Sequence, residues 1–296
     1  MNDMQIHCFS PTLAELGEGP LWNEGERALY WFDVIGRTLY RRLAANGAES
    51  SWSLNGMPGA LALRCDGGLL MAFRNRIALA EGVGQPWVDL HQTLIDFSSE
   101  RINDGAVDDR GRFWFGTFSP KFEPGGGALY CLDTNLTLRR MDSGFSMSNG
   151  IAWSPCGASM YFTDSHPGRI WRYRFDAING TLGSRELFID YTAREGRPDG
   201  CCVDTHGYLW VAEVDAGRIA CYAQEGSPDR PPECTITLPL SKPTSVTFGG
   251  ERLETLFITT EWRGLSADEL RRQPLAGATF SVAGLARGLP QARFAA

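Results

Sequence analysis

The sequence predicts an all-β protein, a six-bladed β-propeller, from three observations. A phrase made of a glycine or another small residue, a short apolar strand, a polar turn and a second, aromatic-rich strand recurs along the 296 residues. Successive copies lie about 40–50 residues apart, which is the length of one four-stranded propeller blade. Strand signals run through the whole chain, while helical periodicity is confined to short stretches near residues 87–95 and 266–272. The six copies begin at Gly19, Gly59, Gly105, Gly150, Gly200 and Thr244.

Each blade shows its strands in the expected order. In the first copy the innermost strand follows the repeat glycine at Gly19–Trp22, and the second, aromatic strand covers Tyr30–Asp33. A third strand is indicated further along the blade, as at Arg169–Tyr173 in the fourth copy. Because an open ring would leave two sheet edges exposed, we expect Ile6–Phe9 to pair with C-terminal strands near Thr279–Val282.

The composition is that of a globular protein and disfavours several classes of partner. Hydrophobic residues make up 43% of the chain and charged residues 21%, which supports a substantial core. The net charge of −7 and the lack of a basic run disfavour nucleic-acid binding. Neither a secretory signal nor a run of about eighteen apolar residues is present, so no membrane partner is expected. We expect one domain over residues 1–296, monomeric and cytoplasmic, with its cysteines reduced.

The residues that directly precede the repeat glycine point to a shared polar site. Glu18, Asn149 and Asp199 occupy this position in three copies. Asn-Gly and Asp-Gly are common turn pairs on their own. In a propeller, however, the loops that enter the innermost strands converge on one axis, so three oxygen-bearing side chains at the same register are expected to share one site.

Two carboxylates and one amide oxygen form a ligand set that suits a divalent cation with water completing its shell. Without a cation, the carboxylates of Glu18 and Asp199 would repel each other, and one would tend to protonate. The alternative is a hydrated polar channel without a metal. Zinc in a structural site lacks ligands, because the four histidines are isolated and there is no Cys-x-x-Cys pair.

A second polar group, Arg101–Asp104, approaches the same axis from the third copy. Arg101 and Asn103 offer a cation and an amide that could hold hydroxyls or a carboxylate of a polar ligand, although a surface arginine before a turn is equally compatible with the pattern. The chain has neither a Gly-x-Ser-x-Gly nucleophile elbow nor a phosphate loop.

Several phrases, taken in their order and spacing, resemble the SMP-30/gluconolactonase/regucalcin family over nearly the whole chain. The segment that begins at Lys242 is similar to the bacterial sugar-lactonase branch. The matching phrases are Leu16–Trp22, Arg101–Gly105, Gly111–Thr117, Ser148–Gly150 and Pro198–Cys201.

The resemblance implies a six-bladed propeller with one axial divalent metal (Ca, Zn, Mg, Mn or Fe(II)) that hydrolyses aldonolactones. Its metal ligands correspond to Glu18, Asn149 and Asp199, and its substrate-orienting residues to Arg101 and Asn103. Likeness of the C-terminal half to bacterial xylono- and arabinolactonases favours pentonolactones. The chain departs from the family pattern at residue 121, where a lysine stands in place of an acidic residue that contacts substrate in some relatives. This departure leaves the identity of the sugar open.

The expected chemistry is metal-assisted hydrolysis of a small-molecule sugar lactone, with Asp199 as the base and Glu18 as a ligand only. Three alternatives remain, and the first two use the same residues differently. The chain could be a calcium-binding regulatory protein, a metal-dependent esterase of the phosphotriesterase type, or an interaction scaffold. The scaffold gives no reason for Glu18, Asn149 and Asp199 to share a register.

Overall fold

The computed structural model describes residues 5–90 and 94–296. Within them the chain forms 24 strands and one short helix, α1 (Ala267–Arg272). The first twelve strands are β1 (Ile6–Ser10), β2 (Gly17–Asn23), β3 (Ala28–Asp33), β4 (Thr38–Leu43), β5 (Glu49–Ser53), β6 (Pro58–Leu63), β7 (Leu69–Phe73), β8 (Arg76–Ala80), β9 (Val88–Leu90), β10 (Arg101–Val107), β11 (Phe113–Phe118) and β12 (Gly127–Leu132). The others are β13 (Leu138–Phe145), β14 (Ser148–Trp153), β15 (Ser159–Asp164), β16 (Arg169–Asp176), β17 (Thr181–Asp190), β18 (Arg197–Val203), β19 (Leu209–Val214), β20 (Arg218–Tyr222), β21 (Cys234–Thr237), β22 (Pro243–Gly249), β23 (Thr255–Thr260) and β24 (Thr279–Ala283).

The strands form six four-stranded antiparallel sheets, which are the six blades of a β-propeller, as the sequence predicts. Five blades are continuous in sequence: β2–β5, β6–β9, β10–β13, β14–β17 and β18–β21. The sixth blade combines β22, β23 and β24 with β1.

Two compact units make up the chain. The first comprises Met1–Asn55, Arg194–Gly226 and Arg230–Pro290, and it holds blades one, five and six. The second comprises Gly56–Ala193, Ser227–Asp229 and Gln291–Ala296, and it holds blades two, three and four. The prediction of one domain over residues 1–296 stays a prediction.

The sixth blade of the first unit joins the two ends of the sequence, as expected. Ile6 pairs with Val282 and Cys8 with Phe280 in the antiparallel ladder between β1 and β24. The outer edge of β24 is thereby covered by β1, which satisfies backbone groups that would otherwise be exposed.

One of the two predicted helical stretches is a helix. At α1, the Ser266 side chain accepts from the Glu269 amide and the Glu269 carboxylate accepts from the Ser266 amide, which is a capping box. In the other stretch, Val88–Leu90 is β9, which pairs with Ile77–Leu79 and completes the second blade, so the helical expectation was wrong there. Residues 91–93 lie outside the described residues.

Apolar cores lie between neighbouring blades within each unit. In the first unit, Trp22, Trp31 and Phe257 pack together between blades one and six. In the second unit, the C-terminal tail adds Phe294 to the cluster of blades two and three, where it is fully buried. The Phe294 amide donates to the Leu63 carbonyl at 2.8 Å, and the Cys65 amide donates to the Phe294 carbonyl at 2.9 Å.

All eight cysteines are free thiols in the structure. Among the described residues, no helix has the length and apolar character needed to cross a membrane.

Candidate functional site

The innermost strand of every blade carries an irregularity in its pairing at the repeat glycine or its equivalent. Such a β-bulge leaves a residue out of the ladder and changes the direction of the neighbouring side chains. The repeated phrase is therefore a repeated backbone distortion. The register shifts lie between Glu18 and Leu21, Pro58 and Ala60, Ile102 and Asp104, Asn149 and Ile151, Pro198 and Cys201, and Pro243 and Ser245.

The glycine of the phrase is required by crowding at the bulge. Gly19 has a φ of 58°, and a Cβ at this position would overlap the Phe32 ring. A Cβ at Gly200 would overlap the Ser245 side chain on the neighbouring blade. A larger residue at either position would force its neighbour, Phe32 or Ser245, or the bulge itself to shift.

In the first unit, the bulges carry two of the three predicted metal ligands. Glu18 pairs with Phe32 at the start of β2, and Asp199 lies inside the bulge of β18, between Pro198 and Cys201. Both side chains are half-buried. Because each sits at a distortion of an innermost strand, the backbone of the unit fixes their positions more closely than a surface loop would.

In the second unit, Asn103 and Asn149 are linked through the backbone of β14. The Asn103 Nδ2 donates to the Ser148 carbonyl at 2.9 Å, directly beside Asn149. The Asn149 Nδ2 donates to the Ser165 Oγ at 3.1 Å, and the residue is buried. With both amide nitrogens used in this way, the two amide oxygens are the groups left to accept a hydrogen bond or bind a cation.

Arg101 begins the strand that carries Asn103. It pairs across the ladder with Phe118, and its Nη1 donates to the Glu100 carbonyl at 2.8 Å. A guanidinium has five N–H donors, so this contact leaves donors for a ligand.

Asp104 was left without a role by the sequence argument, and the structure gives it one. Its Oδ1 accepts from the Gly105 amide at 2.7 Å, and its carboxylate also accepts from the Gly150 amide. The carboxyl keeps some exposed surface but is enclosed by protein, and this desolvation raises its pKa to about 6, against the lowering effect of the two amide donors. Since the Gly150 amide belongs to the peptide that follows Asn149, Asp104 holds the backbone of a predicted ligand.

The donor set of Glu18, Asn149 and Asp199 fits a divalent cation by its chemistry, since all three offer hard oxygens. The orientation of the Asn149 amide agrees with this, because its nitrogen is bonded to Ser165. No group of three or more His, Cys, Asp or Glu side chains suited to a metal is found in the described ranges. A set with only two carboxylates and an amide does not require such a group.

Comparison with models of known protein families shows which family the chain belongs to. Residues 16–261 match the family model described as the SMP-30/Gluconolactonase/LRE-like region. The chain belongs to this family. The matched region contains all five of the predicted site residues, and it also contains Asp104 and Lys121.

Individual relatives of the SMP-30/gluconolactonase family cover the chain almost end to end. The 6-deoxy-6-sulfogluconolactonase of Pseudomonas putida is 36% identical over 278 residues, which cover 94% of each protein. Regucalcin of Gallus gallus is 31% identical over 301 residues and 100% of each protein. The crystal structure of a calcium-binding protein, regucalcin, from Agrobacterium tumefaciens has a TM-score of 0.91 at 26% identity and covers 99% of this chain and 98% of that one.

Proposed function

We propose that the protein is a metal-dependent lactonase that opens a five- or six-carbon sugar-acid lactone to the free aldonic acid. The observation that carries the proposal is the recurrent bulge, because Glu18, Asn103, Asn149 and Asp199 lie within or directly beside the bulges of four innermost strands. Membership of a family that includes a sulfogluconolactonase supports the reaction class.

In this proposal one divalent cation is held by Glu18, Asn149 and Asp199. When bound, it would supply Lewis-acid polarisation of the lactone carbonyl and stabilise the negative charge that develops on its oxygen. The calcium-binding regucalcin relative supports a divalent ion, and among the ions considered (Ca, Zn, Mg, Mn or Fe(II)) the all-oxygen donor set favours calcium, magnesium or manganese.

The side chains then have distinct tasks. Asp199 accepts a proton from the water that attacks the carbonyl carbon, and this proton is delivered to the ring oxygen when its bond to that carbon breaks. Glu18 balances charge at the site. The Arg101 guanidinium donates to oxygens of the sugar, and the Asn103 amide oxygen accepts from a hydroxyl, so that the carbonyl is held facing the site. Asp104 fixes the peptide after Asn149.

A second candidate function is calcium binding in a regulatory role, which the regucalcin relatives favour. It uses the same ligands but requires no turnover. The partner of the enzyme is proposed to be a small sugar lactone. The monomeric state, the cytoplasmic location and the lack of nucleic-acid or membrane partners stay predictions.

The deciding experiment follows acid release from a panel of pentonolactones and hexonolactones in weak buffer. Chelator-treated protein is compared with protein to which Ca²⁺, Mg²⁺, Mn²⁺, Zn²⁺ or Fe²⁺ is restored singly. We expect ring opening that needs a metal and is lost in Asp199→Ala but kept in the control Asp109→Ala, which removes an exposed carboxylate from the turn after β10. Tight metal binding without acceleration over spontaneous hydrolysis would support the regulatory function instead.

A further inference from the structure

We infer that the lactone carries an anionic substituent remote from its carbonyl group, bound by Arg74, Arg101 and Lys121. This inference rests on the proposed lactonase function and deepens it by naming the class of substrate. The chemistry that these cations recognise is an oxyanion, which a sulfonate, a phosphate or a second carboxylate would supply.

The three cations lie at one end of blades two and three, the end at which Arg101 starts β10. Arg74 directly follows β7, and its carbonyl accepts from the Ile102 amide at 3.0 Å, between Arg101 and Asn103. Lys121 follows the end of β11, whose last residue, Phe118, is the pairing partner of Arg101. The topology therefore brings the cations to the strand that also carries Asn103.

At this end of the second unit, Arg74 packs against one of two neighbouring phenylalanine rings. The Arg74 guanidinium lies over the Phe118 ring, 5.2 Å from its centroid, and the Phe118 and Phe122 ring centroids are 5.6 Å apart. In the sequence, Lys121 lies between these two phenylalanines, in a tight turn. The turn is closed by the Phe122 amide, which donates to the Ser119 carbonyl at 2.8 Å. The backbone that carries Lys121 is thus held in place beside Phe118.

The Asp96 carboxylate interacts electrostatically with Arg101, but the two groups do not form a close ion pair. Within the described part of the chain, no carboxylate oxygen lies within 4.0 Å of the charged groups of Arg101 and Lys121. The nearby acids have other partners. Asp96 accepts from Ser98 and Ser99, Glu100 from Thr117 and Tyr130, and Glu123 from Ser119.

Arg101 is half-buried and Lys121 is exposed, and the ion pairs of the described residues do not include either of them. Both charged groups can therefore serve a bound oxyanion. Asn103 would hold a ring hydroxyl while the cations hold the charged end of the same molecule.

The test compares three lactones that differ only at carbon 6: glucono-1,5-lactone, its 6-phosphate and its 6-deoxy-6-sulfonate. We expect kcat/KM for at least one anionic lactone to exceed that for the neutral lactone by about tenfold or more, as for one charged hydrogen bond. The better of the two anionic lactones identifies the oxyanion. Equal or lower values for both would overturn the inference, while hydrolysis of the neutral lactone would still support the proposed function.

Reversing the charge of Lys121 tests whether the preference for an anionic lactone arises at this end of the blades. In Lys121→Glu, the ratio of kcat/KM for the anionic lactone to that for the neutral lactone is expected to fall about tenfold or more. The matched control is Arg110→Glu, which makes the same change of charge at an exposed position on the turn at the other end of the β10–β11 hairpin. An equal fall in both variants would mean a long-range effect of net charge and would overturn the assignment.

Binding without turnover gives an independent measurement. Calorimetry with 6-phosphogluconate and with gluconate isolates the remote oxyanion, because both open-chain acids carry the carboxylate formed by hydrolysis. We expect the phosphate to improve affinity in the parent and to lose that advantage in Lys121→Glu. An advantage that Lys121→Glu leaves intact would contradict the subsite.

Discussion

At the scale of single residues, the candidate site depends on which atom of each polar side chain is already engaged. Asn103 and Asn149 both donate through their amide nitrogens, to the Ser148 carbonyl and the Ser165 hydroxyl respectively. Their amide oxygens are therefore the atoms that can accept a hydrogen bond or bind a cation. Asp104 is occupied by two backbone amides and acts on its neighbour rather than on a ligand. The roles of the polar groups are therefore divided by hydrogen bonding as much as by residue type.

The raised pKa of Asp104 predicts a pH-dependent stability of the metal-free protein. Its pKa is about 6 in the folded chain against a reference value of 3.8, so the folded state retains a proton that the unfolded state has lost between these pH values. The free energy of unfolding therefore decreases as pH rises through this window, by up to about 3 kcal/mol from this group.

In Asp104→Asn this decrease is expected to vanish, since the amide is neutral and its oxygen can still accept from a backbone amide. Urea unfolding of chelator-treated protein between pH 4 and pH 8 measures the effect. The variant should be the more stable protein at pH 7 and have no advantage near pH 4. Parallel pH profiles for the two proteins would show that Asp104 is ionised at the same pH folded and unfolded.

Asp199 is proposed to act both as a metal ligand and as the base, and one substitution can separate the two roles. Asp199→Asn keeps an oxygen ligand but cannot take a proton, so we expect it to lose on the order of a thousandfold in kcat/KM at saturating metal. Calorimetric metal titration, run beside the assay, checks that the site is loaded. Near-normal turnover with metal bound would move the base to another group. Asp109→Asn serves as the control.

Loss of a contact with the sugar should be milder. Arg101→Met or Asn103→Ala is expected to lower kcat/KM by about 10- to 100-fold, because each removes one hydrogen-bonding partner while the predicted metal ligands remain. Initial rates on the best lactone of the panel, at saturating metal, measure this. Loss of metal affinity in either variant would contradict a role in binding substrate alone.

At the scale of elements, a β-bulge in the innermost strand positions the candidate functional side chains of a blade. The sequence predicts where it lies, because each copy has a small residue at the same point, but it does not reveal that the backbone is distorted there. Glycine alone signals either a turn or a close approach. The overlap of a Cβ with Phe32 at Gly19 shows that close approach is part of the reason.

Gly19→Ala is therefore expected to destabilise the protein more than Gly67→Ala. Both glycines have positive φ, 58° and 93°, but a Cβ at Gly67 would meet nothing within 4 Å. The difference isolates the overlap with Phe32, and we expect Gly19→Ala to cost about 1–3 kcal/mol more in the free energy of unfolding. Denaturant unfolding of the two variants measures it. Equal losses would mean that backbone conformation alone requires the glycine.

Some elements of the fold can be predicted from the local sequence pattern, and others cannot. The six blades and the pairing of β1 with β24 follow from local repetition and from the need to cover an edge. The strand β9 and the role of Asp104 do not, because both depend on partners far from the local pattern. Asp104 contacts an amide 46 positions away, at Gly150, and nothing in the Asn103-Asp104-Gly105 phrase distinguishes this from an ordinary turn.

At the scale of the whole molecule, distant parts of the sequence complete each unit. The second unit takes its last core residue from the C-terminal tail, where Phe294 is fully buried. Phe294→Ala is expected to cost about 3–5 kcal/mol in the free energy of unfolding, as a large buried side chain leaves a cavity. The exposed Ile178→Ala should change it little. Thermal and denaturant unfolding check both, and a small loss at Phe294 would show that the tail is dispensable.

The pairing of β1 with β24 and the burial of Phe294 have a consequence for the order of events during synthesis. During synthesis β1 is made long before β24, so it stays without its strand partner until β24 has also been made. The shared core of blades two and three likewise stays incomplete until Phe294 has been made. The first unit thus keeps an incomplete sheet edge, and the second an uncovered part of its core, until these later segments have left the ribosome.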